Sequence, residues 1–226
     1  MTDGLKSKYV FAKNTVIENG YASEINWQSN VRVEDLNEST FLRELAWVVL
    51  SSGFKEKVVR NIFHNISECF FHWKSANLIV KNKTKCFHKA IKFFRNTSKV
   101  SAIINGAERV RHEGFTHLKQ KICEAPLETL QAFPFVGPIT VYHLAKNIGL
   151  PVAKPDRHLL KIANTAGFAD VQEFCSEIAR QTGDTVPVVD IVLWRFAVIE
   201  RDYLHILFSD VHDSSFTGDD HISYEQ

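Results

Sequence analysis

Two short segments hold the residues whose types and spacing can do chemistry. The first is Phe133-Pro134-Phe135-Val136-Gly137-Pro138-Ile139-Thr140, and the second is Lys154-Pro155-Asp156-Arg157-His158-Leu159. A glycine-bearing turn that opens a helix leaves backbone amides unbonded at the positive end of the helix dipole, where a phosphate is favoured. Asp156 follows Gly137 by 19 residues and stands at the start of an apolar helical run. An aspartate there caps the helix. Beside a held phosphodiester, the same carboxylate can stabilise developing positive charge and orient water. Each feature alone is commonplace, since Pro-x-x-Gly-Pro turns connect helices and Asp residues cap them. Their combination is what points to a site.

The elements that must position these segments read as helices. Ser39-Thr40 offers a cap for an apolar stripe of Phe41, Leu42, Leu45, Val48 and Val49. Ser51-Ser52-Gly53 ends that helix. Further helices are predicted through Val58–Ile66 and over about 85–95, 98–111 and 115–122. Pro126 favours a first helical turn, Pro138 begins the helix to about Asn147, and Gly149 with Pro151 ends it. Asp156 precedes a helix to about Thr165, with two more near Ala169–Gln181 and Val186–Leu207. Residues 1–36 read as an irregular arm or short hairpin because of the Asn19-Gly20 turn signal, and the tail from Asp213 as a fraying polar end. Period-two alternation is lacking, so the expected class is mainly α.

The bulk properties limit what such a fold can be. An apolar fraction of 45% over 226 residues supports a packed core, and the formal net charge of +1 requires any nucleic-acid surface to be built by local clustering. Lys81, Lys83, Lys85, Lys89, Lys92, Arg95 and Lys99 form one such stretch, which reads equally as a solvated helix face. Cys69, Cys86, Cys123 and Cys175 are too scattered for a thiolate metal cluster and read as reduced thiols. His64, His72 and His88 read as structural or surface groups, and Trp73 and Trp194 as core. No apolar run spans a bilayer, and the N-terminus shows no secretory signal. The expected protein is therefore not secreted, and resides in the cytoplasm (nucleoid) or nucleus.

The paired segments resemble the helix-hairpin-helix (HhH-GPD) DNA glycosylase superfamily. Its hairpin looks like Leu/Phe-Pro-Gly-Val/Ile-Gly-x-x-Thr-Ala, matched here by Phe133 to Val141, and its catalytic Asp follows about 20 residues later, matched by Asp156. Phe41 to Ser52 resembles the family's first domain helix, so the likeness covers roughly residues 40–205. The resemblance implies a two-lobed helical fold with the active-site cleft between lobes. Residues 1–40 plus 151–226 would form the lobe carrying the catalytic Asp, and 41–150 the lobe ending in the hairpin. It implies a monomer acting on double-stranded DNA in base excision repair. The damaged or modified base would be flipped out and its N-glycosidic bond hydrolysed, with Asp156 as the catalytic group.

By the same resemblance Phe135, Val136, Gly137, Ile139 and Thr140 would contact DNA. Phe54 would be the wedge that fills the gap left by the flipped base. Trp47, Ser51 and Ser52 would border the base pocket. Carbonyls of Gln131, Phe133 and Val136 would hold a monovalent cation, with no other cofactor implied. Three departures bear on function. Phe135 replaces the first hairpin glycine, Gly53 replaces a gap-filling Gln, and Ile139 occupies the position of the lysine that bifunctional members use as nucleophile. An isoleucine cannot form a Schiff base, which favours a monofunctional enzyme, and the absence of the four-cysteine loop of the endonuclease III-like branch points to a branch without an iron–sulfur cluster. The alternatives are a glycosylase/lyase acting through Lys146 or Lys154, and a DNA-binding module without catalysis. Alkylated purines are slightly favoured as substrates, and a hypermodified base in viral DNA also fits.

Overall fold

The computed structural model describes residues 3–209. The tail from Asp213 lies outside them. The chain is mainly helical, with no strand among the described residues. Its helices are α1 (Asp3–Val16), α2 (Ala22–Asn30), α3 (Glu38–Ser51), α4 (Glu56–Cys69) and α5 (Ala76–Lys81). They continue with α6 (Lys83–Phe93), α7 (Thr97–Glu113), α8 (Phe115–Glu124), α9 (Pro126–Gln131) and α10 (Thr140–Asn147). The last four are α11 (Arg157–Thr165), α12 (Val171–Thr182), α13 (Val186–Ile199) and α14 (Tyr203–Phe208).

Short polar side chains set several helix starts. Asn37, Ser75, Asn96 and Asp170 each accept a hydrogen bond from a first-turn N–H of α3, α5, α7 and α12, respectively. Such a cap supplies a partner to an otherwise unbonded amide and contributes about 1 kcal/mol. The cap of α3 is thus Asn37, two residues before the Ser39-Thr40 pair expected to serve.

The N-terminal segment differs from the irregular arm expected. It folds as α1 and α2, and Gly20 takes φ 88° in the segment Ile17–Tyr21 that kinks the chain between them. Asn19-Gly20 therefore joins helices rather than strands. Helix α10 begins at Thr140 rather than Pro138, with Val141 N–H as the donor to Gly137 O at 2.9 Å. The last long helix breaks at Glu200–Asp202 into α13 and α14.

The buried apolar residues fall into two clusters. One draws on Leu36 through Leu150, and the other on Leu5 through Ile25 together with Ala153 through Leu207. Helix α3 packs on α7, α4 and α10 in the first, while α13 packs on α1, α2, α11 and α12 in the second. Polar groups join the two. Glu24 accepts from Arg195 at 2.8 Å and from Arg60 at 2.9 Å, and Lys146 pairs with Asp190 at 2.9 Å. Gln28 donates to the Lys146 carbonyl at 3.0 Å. The chain passes from the second cluster to the first between Ile25 and Leu36 and returns between Leu150 and Ala153. Gly149, just before that second crossing, has φ 97° with room so tight that a methyl group would lie 2.4 Å from the Val33 nitrogen. Only glycine fits there.

Candidate active site

The hairpin is built by α9, the turn Ala132–Ile139 and α10. Phe133 anchors it in the core, with its ring 5.4 Å from Phe41 and the Arg109 guanidinium 4.4 Å from its centroid. Val136 is buried, and its N–H donates to Phe133 O at 3.1 Å. Between these two anchors the turn is forced outward. Phe135 takes φ 64°, the left-handed region where the resembling hairpins carry glycine. Gly137, by contrast, does not take a positive φ. An L-residue in that region costs roughly 1–2 kcal/mol, and such strain clusters at functional sites. Phe135 and Ile139 are 42% and 45% exposed.

The N–H groups of Gly137, Ile139 and Thr140 have no acceptor among the described residues, and all precede or begin α10. Thr140 is half-buried at the first position of that helix. This is the arrangement that attracts an anion. The Phe133 carbonyl already accepts from Val136, so one of the three carbonyls considered for a cation is engaged. Gln131 is exposed and Val136 buried, and among the described residues no group of three His, Cys, Asp or Glu side chains could hold a metal ion.

Asp156 caps α11 with one oxygen only. Its Oδ1 accepts from His158 N–H at 2.9 Å and Leu159 N–H at 3.1 Å, while Oδ2 accepts no hydrogen bond among the described residues. The segment before it is held by α13. Asp190 accepts from the Lys154 backbone N–H at 2.6 Å, and Asp156 N–H donates back to Lys154 O at 2.8 Å. Asp190 is itself buried against Lys146.

A set of titratable groups surrounds this turn. Burial lowers the Lys154 ammonium below its ordinary value, against the opposing pull of Asp156 and Asp190. Burial also drives the His143 imidazole well below its ordinary value, and the charges of Lys154 and Lys146 add to the effect. His158 is lowered by burial too, with its ring 5.4 Å from Tyr203 and a buried Nδ1 that has no partner among the described residues. At neutral pH the imidazoles of His143 and His158 are therefore uncharged. His143 and Asp190 were not singled out by the sequence, because nothing local marks a residue whose partners lie on other helices.

Lys99 is the more instructive omission. It was counted in a basic stretch, yet it is buried at the end of α3. Its ammonium donates to the carbonyls of Val49, Leu50 and Ser52. It also lies 5.2 Å from the Phe54 ring centroid and 5.1 Å from that of Phe135. One cation thus brings together two aromatic side chains that are 81 positions apart, and Phe54, like Phe135, is 42% exposed. Burial pulls this ammonium down to about 8. A signal existed, since Lys99 shares the buried stripe of Ile103, Gly106 and Val110 on α7.

The remaining expected pocket residues part company. Ser52 contributes its carbonyl to Lys99, and the Ser51 hydroxyl is buried without a partner among the described residues. Trp47 packs edge-on against Phe63 at 5.1 Å and borders a groove of about 480 Å³ that neither Asp156 nor the hairpin lines. The rest of the basic stretch, from Lys81 to Arg95, is exposed along α5 and α6 and just beyond, with Lys83 paired to Glu108. Three of the cysteines are buried and all four are free. No described helix is long and apolar enough to cross a membrane. No family model matches the chain, and neither a curated protein nor a solved structure does so.

Proposed function

We propose that the protein is a DNA base-excision glycosylase that hydrolyses the N-glycosidic bond of a flipped damaged or modified base. The two apolar clusters would be the lobes of a helix-hairpin-helix glycosylase fold, with the substrate held at the cleft between them. The observation that carries the reading is the Asp156 carboxylate taken with the hairpin amides. Oδ1 caps α11, and Oδ2 accepts no hydrogen bond among the described residues. Asp170 caps α12 through one oxygen in the same way, so it is the pairing of the Asp156 oxygen with the unbonded hairpin amides that supports a carboxylate able to stabilise a sugar cation or orient a water.

Three features support it. The unbonded amides at Gly137, Ile139 and Thr140 offer a place for a DNA phosphate. Phe54 and Phe135 stand together as exposed aromatic groups suited to fill the gap a flipped nucleotide leaves. The carboxylate of Asp190 fixes the Lys154–Asp156 turn, which keeps Asp156 in place during the reaction. Phosphate contacts would set register, and the wedge would pay part of the unstacking cost of a few kcal/mol.

The test is incubation of the protein and its Asp156→Asn variant with duplexes carrying single alkylated, oxidised, mispaired or hypermodified bases. Base release by the parent that needs alkali to show as strand breaks, and that the variant lacks, is the expected result. Release by neither protein from any duplex contradicts it.

One observation favours a second reading, in which strand cleavage accompanies base release. Lys154 is two residues from Asp156 and its ammonium is lowered, while Lys146 is committed to Asp190. Burial shifts Lys154 toward the neutral amine, the form that attacks an aldehyde. Borohydride trapping of a protein–DNA adduct, lost in Lys154→Arg and kept in Lys146→Arg, would establish this reading over the monofunctional one.

A further inference from the structure

We infer that the groove between α3, α4 and the turn Phe71–Trp73 is a second binding site, distinct from the Asp156 turn, for a nucleotide: a planar base carrying a phosphate. The inference does not rest on the glycosylase reading. It starts from helical spacing. Arg43 and Trp47 are i, i+4 on α3, and Arg60, Phe63, His64 and Ser67 share one face of α4. His72 and Trp73 close the third side, around a cavity of about 480 Å³. Small-molecule sites commonly enclose about 300–1,000 Å³.

The wall is aromatic and fixed. Phe63 stacks on Trp73 at 5.9 Å, and Trp73 stacks on Phe70 at 5.1 Å. The Trp73 indole N–H donates to Ser67 Oγ at 3.0 Å, so the ring cannot turn. Trp47 meets Phe63 edge-on, and the Arg60 guanidinium lies 5.9 Å from the Trp47 centroid. Every ionisable group lining the cavity is basic: Arg43, Arg60, His64 and His72.

The arginines are held from behind by carboxylates that do not line the cavity. Arg43 uses Nε and Nη2 on Glu44, and Arg60 uses Nε on Glu56 and Nη2 on Glu24. The Nη1 group of each donates no hydrogen bond among the described residues. Two arginines held in place, each with one Nη1 group left to donate, beside an aromatic wall match a phosphate joined to a base.

Backbone strain supplies the second observation. Phe71, His72 and Trp73 take φ values of 56°, 51° and 62°, three successive left-handed residues with no glycine among them. Packing of Trp73 and Phe71 holds the two ends. His72, at the middle, is exposed and gains nothing from the core, but its ring is set 6.4 Å from His64 across the groove mouth. Strain retained at an exposed residue that faces a cavity points to binding.

The experiment titrates the full-length protein with deoxynucleoside 5′-monophosphates, following tryptophan fluorescence and calorimetric stoichiometry. Inorganic phosphate, deoxyadenosine and a short 5′-phosphorylated single strand are run alongside. One nucleotide per chain is expected, with phosphate alone and nucleoside alone binding at least about tenfold more weakly. Arg43→Gln and Trp47→Leu should each weaken binding by about tenfold, the weight of one lost partner. Arg43 is exposed but pairs with the buried Glu44, so the melting temperature of its variant is read beside its affinity, and Trp47→Leu tests the site independently of that pair. Asp156→Asn should bind as the parent does. If only the single strand binds, with the same dependence on Arg43 and Trp47, the ligand is an unpaired nucleotide of a strand rather than a free one, and the site stands. Absence of any binding sensitive to Arg43 overturns the inference. So does binding that Asp156→Asn abolishes, because it would move the nucleotide to the catalytic turn.

Discussion

Phe135 joins a left-handed backbone to an exposed aromatic side chain. Its side chain is exposed beside Lys99 while its backbone occupies a region that glycine tolerates better. Phe135→Gly should therefore leave stability unchanged or raise it by up to about 1 kcal/mol, because relief of the left-handed conformation outweighs the entropy added to the unfolded chain. On the proposed reading, release of the modified base should fall, since one of the two aromatic groups proposed as the wedge is gone; thermal melting and single-turnover base release check the two halves. Lys99 makes a pH-dependent prediction. Its ammonium is lowered to about 8 in the folded protein, against an ordinary value of about 10.4 in the unfolded chain. Between those values the unfolded state binds more protons, so this group's contribution to stability rises with pH across that window. Its function runs the other way. Above about pH 8 the cation between Phe54 and Phe135 is lost, and base flipping, read by 2-aminopurine fluorescence, should decline. Lys99→Met should remove that pH dependence.

At the scale of elements, the turn Lys154–Asp156 depends on a helix that is remote in sequence. Asp190 on α13 holds its backbone and pairs with buried Lys146, the two side chains being 3% and 5% exposed. Asp190→Asn leaves a buried ammonium without a counter-charge, a change that costs about 3–5 kcal/mol. A fall in melting temperature of about 10 °C is expected for a chain of this size, together with a loss of base release beyond that explained by unfolding. Most helices were legible because apolar residues recur with the helical period and Asp, Pro and Gly punctuate them, as at Asp156, Pro126 and Gly149. The unread parts share a physical cause. The turn Phe71–Trp73 is left-handed without glycine, so tertiary packing rather than local chemistry creates it. Asn19-Gly20 marks a break in the chain direction but not whether helices or strands flank it, and here it is a kink between two helices. The partners of Asp190 and Lys99 lie about 36 to 50 positions away, beyond the reach of any periodicity.

Among the described residues the molecule is two apolar clusters joined by ion pairs that range from buried, Lys146–Asp190, to partly exposed, Arg60–Glu24 and Arg195–Glu56. Such a junction is costly to desolvate and sensitive to loss of one partner. Arg195→Met removes the cation between Glu24 and Glu56, leaving Glu24 to Arg60 alone. The expected outcome is a lower denaturation midpoint with unfolding that separates into two steps, measured by near- and far-ultraviolet circular dichroism. A single coincident transition at the parent's midpoint would show that the polar seam adds nothing to coupling between the clusters. The same seam carries the geometry proposed for catalysis, since the hairpin belongs to one cluster and Asp156 lies beside the other.

The most direct test of the central claim is single-turnover base release by the parent and by Asp156→Asn on the duplex the parent acts on, with DNA affinity measured in parallel. Asn keeps the cap's acceptor oxygen but not the charge. The prediction is release slowed by at least about a hundredfold with affinity and melting temperature nearly unchanged. Equal release by both proteins would contradict the assignment of Asp156, and with it the reading of this chain as a glycosylase built around that carboxylate.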